Sequence, residues 1–249
     1  MTTNISNNTV LVFVIILALT LLIQLLGLSF TTSNAGGGFR SIVIPSTIAL
    51  SILTFVTAGP GLYLGRKIGL GVPRLEAIMV RQAGCWRDLI ADVKIAFPIG
   101  LVLGLLLVGL RYFLSDYLPT ELPEFGFRGF WGGALISASA AIGEEVWFRL
   151  GLMTILVWFA SKIFNQESPG PTIIWSALIL VSLLFGMAHF PHLASYDSAT
   201  PTGIFGTLFG NVIVSIFYGW LYWKRGLLSA IIAHFSVDLG IHAIPALFC

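Results

Sequence analysis

The stretch VLVFVIILALTLLIQLLGLSF, Val10 to Phe30, runs for 21 residues without a charged side chain. A helix needs about 20 mostly apolar residues to cross a bilayer, and within lipid each backbone polar group must find its partner inside the segment. The stretch therefore reads as a transmembrane helix. A secretory signal fits poorly, because Met1 to Asn8 has no Lys or Arg and the run exceeds the roughly 7–15 residues of a signal's apolar region.

Outward from this helix, comparable runs lie at Ser41–Leu64, Ile95–Leu114, Phe130–Ile163, Ile173–His189, Ile204–Trp223 and Leu227–Leu247. Composition agrees: 57% of the 249 residues are hydrophobic and 10% charged, too few polar groups to coat a water-soluble globule. The expected fold class is all-α, a polytopic transmembrane helix bundle of about seven spans with an interfacial amphipathic helix. Residues 1–249 form a single transmembrane domain in this reading, and the lipid bilayer is its medium.

The segment Gly65 to Lys94 carries Arg66, Lys67, Arg74, Arg81, Arg87 and Lys94, six of the 13 basic residues, which the positive-inside rule places in the cytoplasm. Strict alternation then puts Lys162, Lys224, Arg225 and the N-terminus on the same side, with Asp116, Glu121 and Glu124 opposite. Within this cytoplasmic loop, residues 65–94, Leu75, Ile78, Met79, Trp86, Leu89, Ile90 and Val93 recur at helical spacing, so a helix there either lies on the bilayer or caps the bundle. Gly100 with Gly104, and Gly206 with Gly210, have the spacing that brings helix backbones close in lipid.

A net charge of +2 without a basic tract points to no nucleic-acid partner. Cys85, placed in a loop, and Cys249 supply neither a disulfide framework nor metal-ligand spacing.

Charged groups inside a span cost about 2.5–3.5 kcal/mol on insertion scales and so mark functional candidates. The fourth span contains Glu144, Glu145 and Arg149. Glu145 and Arg149 stand at i and i+4 in the favourable order for an ion pair, whereas Glu144 has no sequence-local cation. Its carboxyl is the candidate general base, able to take a proton from water and return it to a leaving amine. The fifth span ends with Phe185 and His189, and the seventh stacks His234, Asp238 and His242 on one helical face. No His-Glu-x-x-His and no Gly-x-Ser-x-Gly occurs, which removes one class of zinc protease and the elbow-borne serine nucleophile.

Taken together, Glu-Glu-x-x-x-Arg at Glu144 to Arg149, Phe-x-x-x-His at Phe185 to His189 and His-x-x-x-Asp at His234 to Asp238 resemble the three ordered motifs of the CPBP (Abi) family. That family of intramembrane glutamic proteases includes the CAAX prenyl endopeptidase and prokaryotic membrane proteins, some linked to bacteriocin processing or self-immunity. The resemblance covers roughly residues 130–249, the expected catalytic core.

It implies a CPBP-type intramembrane endopeptidase acting on a peptide or membrane-protein substrate, with Glu144 and His189 activating water and His234 and Asp238 stabilising the oxyanion. Glu145, Arg149 and Phe185 would be supporting residues. The family's endopeptidase branch has Asn where this chain has Asp238, and a carboxylate donates a hydrogen bond only when protonated. Two alternatives stand beside this reading. One is a non-catalytic membrane binding, immunity or transport protein using the same polar cluster. The other is a metal-dependent protease with Zn²⁺ on Glu144, Glu145, His189 and His234, ranked second to a metal-free mechanism because Arg149 competes for its carboxylate. Straight helices also leave a conflict of depth: His189 closes its span, while His234 lies early in another.

Overall fold

The computed structural model describes residues 3–248, with side chains for residues 9–248. The side chains of Met1 to Asn8 and all of Cys249 lie outside the described residues. The fold is all-α, and seven helices are long and apolar enough to cross a membrane. α1 (Thr3–Asn34) and α2 (Phe39–Ile68) are followed by the short α3 (Pro73–Met79) and by α4 (Cys85–Phe113). The fourth span, Gly129–Ile163, comprises α5 (Gly129–Glu144), a π-helical segment Glu145–Met153 and α6 (Thr154–Ile163). Then come α7 (Pro171–Met187), the five-residue α8 (Phe190–Ala194), α9 (Pro201–Arg225) and α10 (Leu227–Asp238), which continues as a second π segment, Leu239–Ala243.

Hydropathy sets the spans, and helix chemistry sets their ends. The third span begins at Cys85, ten residues before the hydropathic start at Ile95, because nothing breaks the helix once Gly84 (φ 82°) has turned the chain. Cys85 is thus a buried helical residue rather than a loop residue. Pro201 opens α9, whose first turn is capped by the Thr200 hydroxyl accepting from the Gly203 amide. Exposed Leu22, Phe55 and Leu106 cover outer faces of the bundle, as expected of helices facing lipid.

Two features position α10. At one end, fully buried Asp92 on α4 accepts from Arg74 Nε at 2.7 Å, Arg225 at 2.5 Å and the Ser229 hydroxyl at 3.0 Å, tying α3, α4, α9 and α10 together. The Asp92 carboxylate also holds the Arg74 guanidinium above its ordinary pKa. Midway, Gly100 and Gly104 let α4 lie directly against the backbone of Ala233 and Val237, so close that any Cβ would collide with their carbonyl oxygens. Gly206 and Gly210 do not serve this purpose. A Cβ there would meet Leu118 at 3.5 Å and Leu107 at 3.9 Å, ordinary contact distances, and both glycines instead line a cavity.

Candidate active site

The charged run of the fourth span lies where its helix changes form. The α-helix ends at Glu144 and π geometry begins at Glu145, ending with the Thr154 amide bonded five residues back to the Arg149 carbonyl. Such i→i+5 turns are rare and cluster at functional positions. Glu145 and Arg149 are fully buried, with Arg149 Nη1 3.2 Å from Glu145 Oε1. Arg149 Nη2 donates to the Ser215 carbonyl at 3.0 Å and hydroxyl at 2.6 Å, and the guanidinium lies 4.8 Å over the Phe185 ring. The same Glu145 oxygen accepts from His234 Nδ1 at 2.8 Å. One oxygen of Glu145 thus serves two partners, on another turn and on another helix.

Glu144 differs. Its side chain is 25% exposed against 0% for Glu145, and among the described residues it accepts no hydrogen bond; His234 Nε2 stands 3.9 Å away. Asp238, one turn beyond His234, places Oδ2 3.5 Å from the same Nε2. Each His234 nitrogen thus faces carboxylate oxygen.

His189 follows the last turn of α7, where its Nδ1 lies 2.9 Å from the Phe185 carbonyl. A carbonyl only accepts, so Nδ1 is the donor in this bond and Nε2 is the nitrogen left for other partners. The Phe185 ring is the hub: its centre is 5.0 Å from that of His189 and 5.8 Å from that of His234. The depth conflict is thereby resolved. His189 after the last turn of α7 and His234 in the second turn of α10 meet across one phenyl ring, which requires the two helices to be offset along the bundle. Glu144, His189, His234 and Asp238 all line one cavity of about 1150 Å³.

Residues 124–240 match the family model described as type II CAAX prenyl endopeptidase Rce1-like. The chain carries an Rce1-like domain. No match was found among curated proteins or among solved structures. The Rce1-like segment contains every residue singled out by the three motifs, and with seven spans the protein is a multi-pass integral membrane protein.

The zinc alternative fits this site badly. Glu145 Oε1 is taken by Arg149 and His234, the Nδ1 atoms of both histidines are engaged, and a guanidinium 3.2 Å from a proposed ligand repels a cation. Among the described residues no three His, Cys, Asp or Glu side chains are arranged to hold a metal ion.

The Rce1-like domain also uses residues that the motifs did not reveal. Tyr218 stacks on His234, and Ser215 anchors Arg149. One turn further, the Tyr222 hydroxyl meets Thr154 Oγ1 at 2.6 Å. Asn211, Ser215, Tyr218 and Tyr222 recur at helical spacing along α9, a polar stripe that the sequence did contain.

Proposed function

We propose that the protein is an intramembrane endopeptidase in which Glu144 and His189 activate the water that attacks a peptide carbonyl. One observation carries this reading: Glu144, which accepts no hydrogen bond among the described residues, opens onto the same cavity as His189, whose Nδ1 is tied to the Phe185 carbonyl, and His234. Glu144 takes a proton from the water while His189 Nε2 accepts the other hydrogen and orients the oxygen toward the carbonyl carbon. Negative charge gathering on the carbonyl oxygen is met by a proton on His234 Nε2. As the carbon–nitrogen bond breaks, Glu144 returns its proton to the departing amine.

Asp238 acts in this scheme through His234. Its carboxylate flanks Nε2 while Glu145 flanks Nδ1, so an imidazolium carrying both protons is compensated at each end. No donation from Asp238 to the oxyanion is required, which removes the difficulty of a carboxylate standing where an amide could donate. The substrate is a peptide or membrane-protein segment entering from the bilayer. Residues 130–249 form the catalytic core of this single membrane domain, and the 65–94 face, rich in Arg and Lys, is cytoplasmic together with the N-terminus.

The deciding experiment incubates purified wild-type and Glu144→Gln protein with a library of apolar peptides and follows new amino termini. Wild type generates them, and the variant, folded and with unchanged thermal stability, is slowed by roughly 10³-fold, within the range of a lost general base. Undiminished cleavage by Glu144→Gln would refute the assignment.

A further inference from the structure

The cavity has a second cluster of polar groups that the hydrolytic scheme does not use. Arg128 immediately precedes α5 and lines the cavity, its guanidinium 4.1 Å over the Phe127 ring. It is partly buried, and no carboxylate among the described residues compensates it. Glu124 lines the same cavity without pairing with it. Burial pushes this guanidinium below its ordinary pKa, the signature of a cation held away from water without a counter-ion.

Two imidazoles share its neighbourhood. His192 on α8 and His242 in the second π segment both line the cavity and both feel the Arg128 charge. His192 also feels the charge of His189, and His242 that of Asp238, so the cluster adjoins the proposed catalytic groups. The loop bearing Arg128 is fixed by Arg111, which donates to the carbonyls of Leu122 (3.2 Å) and Pro123 (2.8 Å). The cavity wall is otherwise largely apolar, with residues such as Leu107, Phe209 and Ile241.

We infer that Arg128, with His192 and His242, forms a subsite for a carboxylate carried by the peptide substrate, from either its chain terminus or an acidic side chain. The inference rests on the protease reading for the identity of the ligand. A guanidinium presents a planar fork that matches a carboxylate in two parallel hydrogen bonds, and both imidazoles can add a donor. The apolar stretch of wall then receives the side chains between the scissile bond and the anion. The three groups share their cavity with Glu144 and His189, which favours a carboxylate on the peptide over a lipid phosphate.

The test uses full-length Glu144→Gln protein in detergent micelles, so that binding is read without turnover. Fluorescent peptides of one apolar sequence are compared as free acid, as carboxamide, and as carboxamide with Glu at successive positions. The acid or one of the Glu peptides binds roughly tenfold more tightly than the plain amide. Adding Arg128→Gln erases the difference, and Arg128→Lys retains part of it. In turnover by wild type, the same difference falls on KM rather than kcat.

Equal binding of all forms by protein with an unaltered Arg128 would overturn the subsite, independently of how any variant folds. So would retention of phosphatidylglycerol lost in Arg128→Gln without any preference for acid, which would assign the cluster to a headgroup. An acid preference in binding with no turnover of any peptide would instead sink the protease reading and leave the subsite standing.

Discussion

The phenol ring of Tyr218 lies flat on the imidazole of His234, with centroids 4.5 Å apart and planes 12° from parallel. Phe185 packs beside this stack with its plane 76° from that of the imidazole, and Glu145 holds Nδ1, so the orientation of His234 is fixed from several directions. An aromatic face also favours a cation above it, which suits an imidazolium donor.

The stack predicts a division between two variants at Tyr218. Its hydroxyl makes no hydrogen bond among the described residues, so Tyr218→Phe keeps the plate and retains activity within about threefold. Tyr218→Ala removes the plate and opens a cavity, costing about 3 kcal/mol of stability. Freed to shift by an ångström, His234 loses alignment, and kcat falls roughly 100-fold among molecules that stay folded. Peptide turnover measured beside thermal unfolding separates the two effects, and equal activity of Phe and Ala variants would discard the stack as a positioning device.

Glu145 and Arg149 should behave as a structural pair. Both are fully buried, and removing one partner of such a pair leaves an uncompensated charge at about 3–5 kcal/mol. Glu145→Gln and Arg149→Met each lower the unfolding temperature strongly, while the double variant loses less than their sum. Arg149→Lys does not rescue, since an ammonium cannot reach Glu145 and both oxygens of Ser215 from one position. A double-mutant cycle by thermal unfolding in detergent checks this; strict additivity would contradict it.

How much of this was legible in the sequence follows from the physics of each feature. Spans such as Val10–Phe30 declare themselves because lipid demands long uninterrupted apolar runs, and Glu144 or His234 stand out against that background. Tyr218 does not stand out, since an aromatic in a span reads as lipid-facing or core. The π segments at Glu145 and Leu239 leave no periodicity of their own, so the widening of the helix beside Glu144 is visible only in three dimensions. Glycine spacing gave the same signal at Gly104 and Gly210, although one touches a helix backbone and the other a cavity wall.

The Asp92 junction supplies a control remote from the chemistry. Asp92 is buried among Arg74, Arg225 and Ser229 and does not line the cavity that holds Glu144 and His189. Asp92→Asn leaves two guanidinium groups facing each other and costs about 3 kcal/mol of stability. Activity per folded molecule stays near wild type. A specific activity that fell tenfold or more, normalised to folded protein by size-exclusion chromatography, would mean that the junction transmits to the site.

The two glycine pairs predict opposite responses to the same added methyl group. At Gly104 a Cβ would overlap the Val237 carbonyl, part of a helix backbone that cannot rotate away, so α4 must retreat from α10. Overpacking of this kind costs about 1–3 kcal/mol or more. Asp238 follows Val237 directly, so the shift is also felt at His234 and Asp238, and Gly104→Ala lowers both unfolding temperature and turnover. At Gly210 the nearest atom is 3.9 Å from the new carbon, and Ala is the better helix former by about 1 kcal/mol. Gly210→Ala therefore leaves stability unchanged or slightly raised, and trims the cavity rather than the helix contact. Parallel thermal unfolding of the two variants decides the matter: equal losses would show that α4 is not seated on α10 through Gly104.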